Sequence, residues 1–190
     1  LLEEAPYVVL HVIDARNLER MLPMTLQLIE AGLPVVLLVN IMDEAERIGL
    51  HIDIPLLSEK LGIPVVGAAI GRKRGVAELR NTLSRYQPQY STFAYATDLE
   101  RDVNRVTELM LGDYILEKKA LALLFLQRDE EIVELLKGRE TRDFPQVEKV
   151  ANEIVFARRV DLHLRISLER KRICKSLLAG VLKVDGGQKP

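Results

Sequence analysis

The chain has 190 residues, enough for one ordinary domain or two small ones, with 48% hydrophobic and 29% charged residues and no Trp. Its formal net charge of −1 excludes a broad nucleic-acid footprint, which needs a basic excess. A single cysteine, Cys174, excludes an internal disulfide and suits a reducing compartment, and the separated His11, His51 and His163 offer no Cys/His metal cluster.

In chain order, the first part alternates strand and helix. The runs YVVLHVI (7–13), PVVLLV (34–39) and IPVVGA (63–68) are short, β-branched and continuously apolar, as in strands buried on both faces of a parallel sheet. Between them, helices are predicted over 22–31, closed by Gly32, and over 53–61, capped by Asp53 and stopped by Gly62. A further helix over 76–86 follows Gly75. Pro23 suits a first helical turn, so 18–21 is expected as a separate turn. This is a doubly wound α/β layer over 1–86.

The stretch QPQYSTFAYATD breaks the pattern, and 87–97 is expected to be a linker. Every later segment reads as helix. Asp98 is the expected cap of LERDVNRVTELML, with Leu99, Val103, Val106 and Met110 on one face. YILEKKALALLFLQ follows, then DEEIVELLKG closed by Gly138. From Pro145 a long pattern places Leu162, Ile166, Ile173, Leu177 and Val181 on one stripe. An all-α bundle of about four helices is predicted over 98–183. No run approaches membrane length, the longest mid-chain one being ALALLFL, and no signal peptide is visible. With Leu1 in place of Met and VDGGQKP at its end, the chain reads as a soluble piece of a longer polypeptide, with a flexible tail over 184–190.

Ligands of open α/β sheets bind beyond the carboxyl ends of the strands. Asp14, the NIMD stretch (Asn40, Ile41, Met42, Asp43) and the loop AAIGRKRG fall there. A carboxylate at such an end can accept two parallel hydrogen bonds from a flat edge bearing adjacent N–H donors. Guanine has that edge in its N1–H and exocyclic amino group, whereas adenine presents a ring acceptor. A site built on such bonds rejects the wrong base by about 10⁴ or more. The Asn40 amide, both donor and acceptor, can brace the neighbouring loop or the base. The bland alternative is that Asp43 caps the EAERIG turn and Asn40 only ends a strand.

Other features invite plainer readings. GRKRG (71–75) is a solvated loop before it is a phosphate or partner contact, and RRVDLHLRISLERKR (158–172) a charged helix face before it is a lipid contact. DLERD and DEEIVE are helix N-terminal acids before they are iron-collecting carboxylates. Cys174 is expected in or near the core, and His11 as a satisfied sheet histidine.

The stretch from IDARNLERMLPMTLQLIEAGLPVVLLVNIMDEAERIGL to GRKRGVAEL, residues 13–79, resembles without gaps the intracellular GTPase domain of the bacterial ferrous iron transporter B (FeoB) family. The all-helical remainder is similar to that family's helical domain, and ISLERKRICKSLL to its last helix before the membrane. The resemblance implies a partial P-loop GTPase-type sheet followed by a helical bundle. It implies that Asn40, Ile41, Met42 and Asp43 form the guanine-specificity motif and that Ala68, Ala69 and Ile70 form the second base loop, Ile70 lending a backbone N–H to the guanine oxygen. Ile41 stands where many GTPases carry lysine, and Ala69 lacks the hydroxyl that usually braces the loop. The implied ligands are GTP or GDP with Mg²⁺ in the complete protein, and the implied partner is its own transmembrane domain at the cytoplasmic face of the inner membrane. A second copy of the chain is left open as a partner. No G-x-x-x-x-G-K-[ST] loop occurs, so this chain alone is expected not to hydrolyse GTP. The rival readings are a fragment of another small bacterial GTPase and a nucleotide-free α/β-plus-helix interaction module.

Overall fold

The computed structural model describes residues 4–89, 91–158 and 160–185. Tyr90 of the expected linker, Arg159 of the basic stretch and 186–190 of the expected tail lie outside them. In chain order the elements are β1 (Val9–Asp14), α1 (Leu18–Glu30), β2 (Val35–Asn40), α2 (Met42–Arg47), β3 (Leu50–Ile52), α3 (Ile54–Leu61), β4 (Val65–Gly67) and α4 (Val76–Ser84). There follow α5 (Thr97–Thr107), α6 (Lys118–Leu126), α7 (Glu130–Arg139), α8 (Phe144–Arg158), α9 (Leu162–Leu178) and β5 (Leu182–Val184). Among the described residues two compact units form, one from 6–29, 33–91 and 173–185, the other from 4–5, 30–32 and 92–172.

The first unit is built on a parallel sheet in the order β1-β2-β4, with Val9 opposite Val35 and Leu37 opposite Val65. Central β2 is apolar and buried from Val35 to Val39, as its continuous run predicts. β1 departs from that expectation. Leu10 and Val12 are 38% and 46% exposed while Ile13 is buried, because among the described residues β1 pairs only with β2 and one of its faces is uncovered.

Helix α3 starts and stops as read: Asp53 Oδ1 accepts the Leu56 N–H at 3.0 Å, and Gly62 turns left-handed. α1 does not. It runs unbroken through Pro23, so 18–21 is its first turn rather than a separate one. Leu18, Leu22 and Leu26, spaced four apart and almost fully buried, hold the helix together despite the backbone donor that Pro23 lacks.

The sequence reading has no counterpart for the antiparallel ribbon β3–β5, which pairs Leu50 with Val184 and Ile52 with Leu182. The Asp53 N–H donates to Val181 O at 3.0 Å, and the Asp185 N–H to Gly49 O at 2.9 Å. Val181 therefore belongs not to the last helix but to the lead-in of a strand, and the expected tail begins inside that strand at Val184.

The second unit is helical. Leu99, Val103, Val106 and Met110 are buried together as their spacing predicts. α6 is buried from Ala120 to Phe125 apart from half-buried Leu124, which makes it a central helix of the unit, and Phe125 meets Phe144 edge to face with ring centres 6.1 Å apart. No helix among the described residues is long and apolar enough to cross a membrane. Three helix boundaries differ from expectation. Asp98 lies within the first turn of α5 and does not cap it; its carboxylate instead receives Arg158 at 2.5 Å and Arg165 at 2.7 Å. Gly138 sits inside α7, whose cap is Asp129. The long pattern after Pro145 breaks into α8 and α9, where Asp161 Oδ1 accepts the Leu164 N–H and starts a new helix.

Candidate functional site

The carboxyl ends of β1, β2 and β4 converge on one rim of the first unit. β2 ends at Asn40, and Ile41 then adopts φ 64°, ψ 32°. A left-handed β-branched residue is strained, at a cost of order 1–2 kcal/mol. The sharp turn it makes buries Met42 and leaves Asp43 at the start of α2 with 17% of its side chain exposed.

Two backbone hydrogen bonds join this turn to the end of β4: Ala68 N–H to Val39 O at 2.8 Å and Met42 N–H to Ala68 O at 3.0 Å. The Asn40 side chain adds a third tie, its Oδ1 accepting the Ile70 N–H at 3.1 Å. Of the two roles open to Asn40, the structure shows the loop brace. It also shows that the Ile70 N–H is already engaged. Beyond Ile70 the chain folds back on itself, with Ala69 and Arg74 exchanging backbone hydrogen bonds and Lys73 left-handed. Gly75 closes the loop at φ 83°, where a Cβ would stand 2.7 Å from Gly67 O.

These segments enclose an open cleft of about 300 Å³ lined by Asn40, Ile41, Asp43, Ala69, Ile70 and Arg72, with Glu44 at its edge. Met42 and Ala68, predicted alongside them, lie beneath the cleft and take part through their backbone. Asp43 does not cap α2: the residue before the helix is Ile41, which makes no side-chain cap. Its carboxylate instead pairs with Arg72 Nε at 2.7 Å. GRKRG is an exposed loop over 71–74, as expected, and it is also tied down, since Arg74 grips Glu46 with both ends of its guanidinium, at 2.7 and 3.0 Å.

Sequence reasoning missed the third strand end's part in this. Asp14 accepts the backbone N–H of Arg16 at 2.9 Å and two of its guanidinium nitrogens, and Arg16 reaches on to Glu44, the neighbour of Asp43. No local pattern links residues 16 and 44. The hydrogen bonds from Arg16 hold the Asp14 carboxyl down to about 2, below its ordinary 3.8. A depressed carboxylate stabilises the fold above its unfolded pKa and loses that contribution as pH falls from about 4 to about 2. Asp14→Asn should therefore unfold at lower urea than wild type at pH 7, with the gap closing at pH 2. Because Arg16 is 39% exposed, screening keeps the difference to about 1 kcal/mol or less.

Remaining candidates resolve as structural. His11 Nδ1 meets Thr25 Oγ1 at 3.1 Å, and Cys174 is buried. Of DLERD, Asp98 and Asp102 are bound to Arg158. In the basic stretch, Arg158 and Arg165 are in ion pairs and Arg170 is buried.

Comparison with known proteins matches residues 1–83 to the family model for ferrous iron transport protein B and 95–183 to that for the FeoB cytosolic helical domain. The Fe(2+) transporter FeoB of Escherichia coli K12 is 34% identical over 125 residues, covering 64% of this chain and 16% of that protein. The Fe(2+) transport protein A/FeoB fusion protein of Porphyromonas gingivalis is 33% identical over 196 residues, covering 95% of this chain and 23% of its own length. The chain thus spans less than a quarter of either relative. Among solved structures, the cytosolic domain of T. maritima FeoB in its GMPPNP form superposes with a TM-score of 0.78 at 21% identity, covering 96% of this chain and 70% of that one. The mGMPPNP-bound NFeoB of S. thermophilus gives 0.78 at 22%, covering 100% and 72%, so the likeness of fold extends over both units. With one FeoB model matching the strand-and-helix part and a second the helical part, the chain belongs to the ferrous iron transport protein B family.

Proposed function

We propose that this chain supplies the base-reading half of a guanine-nucleotide site, together with a helical domain, within a ferrous iron transporter. On this reading residues 1–86 are the carboxyl-terminal half of a GTPase domain, joined by 87–97 to the helical domain of 98–183. The remainder of the full-length protein holds the phosphates and crosses the membrane, and GTP binding and hydrolysis at its cytoplasmic face regulate Fe²⁺ entry. Coupling of nucleotide to pore requires two arrangements of the helical domain with different nucleotide affinities.

One observation carries the reading. Asp43 stands on a strained turn at a strand end, beside a loop braced by Asn40, and its carboxylate is already engaged by a guanidinium. A group placed to accept from adjacent N–H donors is what the guanine edge requires. In the proposed complex Asp43 accepts from N1–H and the exocyclic amino group, the wall of Ala69 and Ile70 flanks the ring, and Ile41 keeps the turn closed. The names of the relatives, Fe(2+) transporters and FeoB domains in GDP and GMPPNP forms, support it.

The phosphates and Mg²⁺ find no fit here. Among the described residues no group of three or more His, Cys, Asp or Glu side chains could hold a metal ion, and the sequence contains no Walker-type loop. No step of hydrolysis is therefore assigned to this chain. Calorimetry on the full-length transporter tests the reading: GDP should bind about a hundredfold or more tighter than ADP. Equal affinity for the two overturns it, and binding of neither favours an interaction module. A ribosome-associated GTPase is disfavoured because 87–183 is not a basic segment, its 17 Lys and Arg facing 16 Asp and Glu.

A further inference from the structure

We infer that Arg72 is an internal stand-in for the base edge, a side chain that holds Asp43 until a guanine nucleotide takes its place. The inference rests on the base-reading role proposed for Asp43. A guanidinium and the edge of guanine are the same chemical fragment: a planar carbon bearing adjacent N–H donors. A carboxylate that accepts one accepts the other, and it cannot accept both in full. Arg72 Nε lies 2.7 Å from Asp43 Oδ2, and Arg72 itself lines the cleft.

The pairing follows from how the loop is built. Asn40 Oδ1 fixes Ile70, the Ala69–Arg74 backbone pair closes the turn, and the two-pronged Arg74–Glu46 pair clamps the loop to α2, which bears Asp43. Arg72 is delivered across a loop held at three points, so little conformational entropy opposes its return to Asp43. It stays 71% exposed, so it can swing into water without unsatisfied donors. No such exit is open to Asp43, anchored in α2.

Such a gate taxes binding through the fraction of protein in which Asp43 is free. The apparent dissociation constant is raised by the reciprocal of that fraction, through the association rate. An exposed ion pair shifts an equilibrium by a factor of about 1.5 to 5. The full-length Arg72→Gln protein should therefore bind GDP about 1.5- to 5-fold tighter than wild type, through faster association with unchanged dissociation. The gain should fade as ionic strength rises and the wild-type pair is screened. Arg72→Lys, which keeps the charge but loses the planar fork, should fall between the two. Stopped-flow measurement with a fluorescent GDP analogue, at low and high salt, reads all of this. Unchanged or weaker affinity in Arg72→Gln, or a gain carried by dissociation, overturns the gate while leaving guanine preference in wild type intact. Loss of guanine preference in wild type overturns the base-reading role and the gate with it.

Discussion

Asp43→Asn in the full-length transporter should exchange guanine preference for xanthine preference. The carboxylate offers acceptors only, matching the two donors of guanine. An amide at the same place offers one acceptor and one N–H₂, and the latter would face the exocyclic amino group of guanine, donor against donor. Xanthine carries a carbonyl there, and the pairing is restored. Replacing a charge-assisted pair of hydrogen bonds by a mismatch costs about 3 kcal/mol, so the affinity for GDP should fall about a hundredfold while that for xanthosine diphosphate rises to exceed it. Calorimetric titration of both proteins with both nucleotides measures the swap. The fold should survive it, because Arg72, the ion-pair partner that Asp43 loses among the described residues, is 71% exposed. A variant that still prefers GDP would show that Asp43 does not read the base, whatever else the cleft holds.

How much of this site the sequence showed depended on distance along the chain. PVVLLVN could be read as a central strand ending on Asn40, because a strand buried on both faces leaves a continuous apolar record. Asp53 and Gly62 declared α3 because capping is a matter of three or four consecutive residues. The Asp43–Arg72 pair and the Arg16–Glu44 pair span 29 and 28 positions and leave no local trace. The ribbon is further out of reach: each strand has three residues, and His51 meets Asp185 across 134 positions. Pro23 misled for a related reason. Its local preference argued for a helix start, and the burial of Leu18 and Leu22 on either side of that expected boundary overrode it. Arg170 did leave a sign. It sits four residues after Ile166 and three before Ile173, on the apolar stripe of α9, where a solvated arginine does not belong.

That placement gives the largest expected effect on stability. Arg170 and Glu30 are 4% and 2% exposed at the side chain, with Arg170 Nη2 and Nε each 3.2 Å from Glu30 Oε2, and Nε also donates to the Tyr95 hydroxyl at 2.9 Å. Burial, and next the Glu30 charge, push the Tyr95 hydroxyl well above its ordinary pKa, so it remains a neutral hydrogen-bond partner. Glu30 Oε1 has no hydrogen-bond partner among the described residues, so the carboxylate depends on Arg170 for compensation. Arg170→Met leaves that carboxylate buried and unpaired and should destabilise the chain by about 3–5 kcal/mol, a large share of the 5–15 kcal/mol typical of a folded domain. Removing both charges is a different case, because a buried ion pair replaced by apolar side chains of similar size is often neutral. The double variant Glu30→Met/Arg170→Met should therefore be more stable than either single variant, with a coupling of several kcal/mol between the two sites. Urea unfolding of the wild type, both single variants and the double variant measures it. Additive losses would mean that Arg170 contributes packing alone.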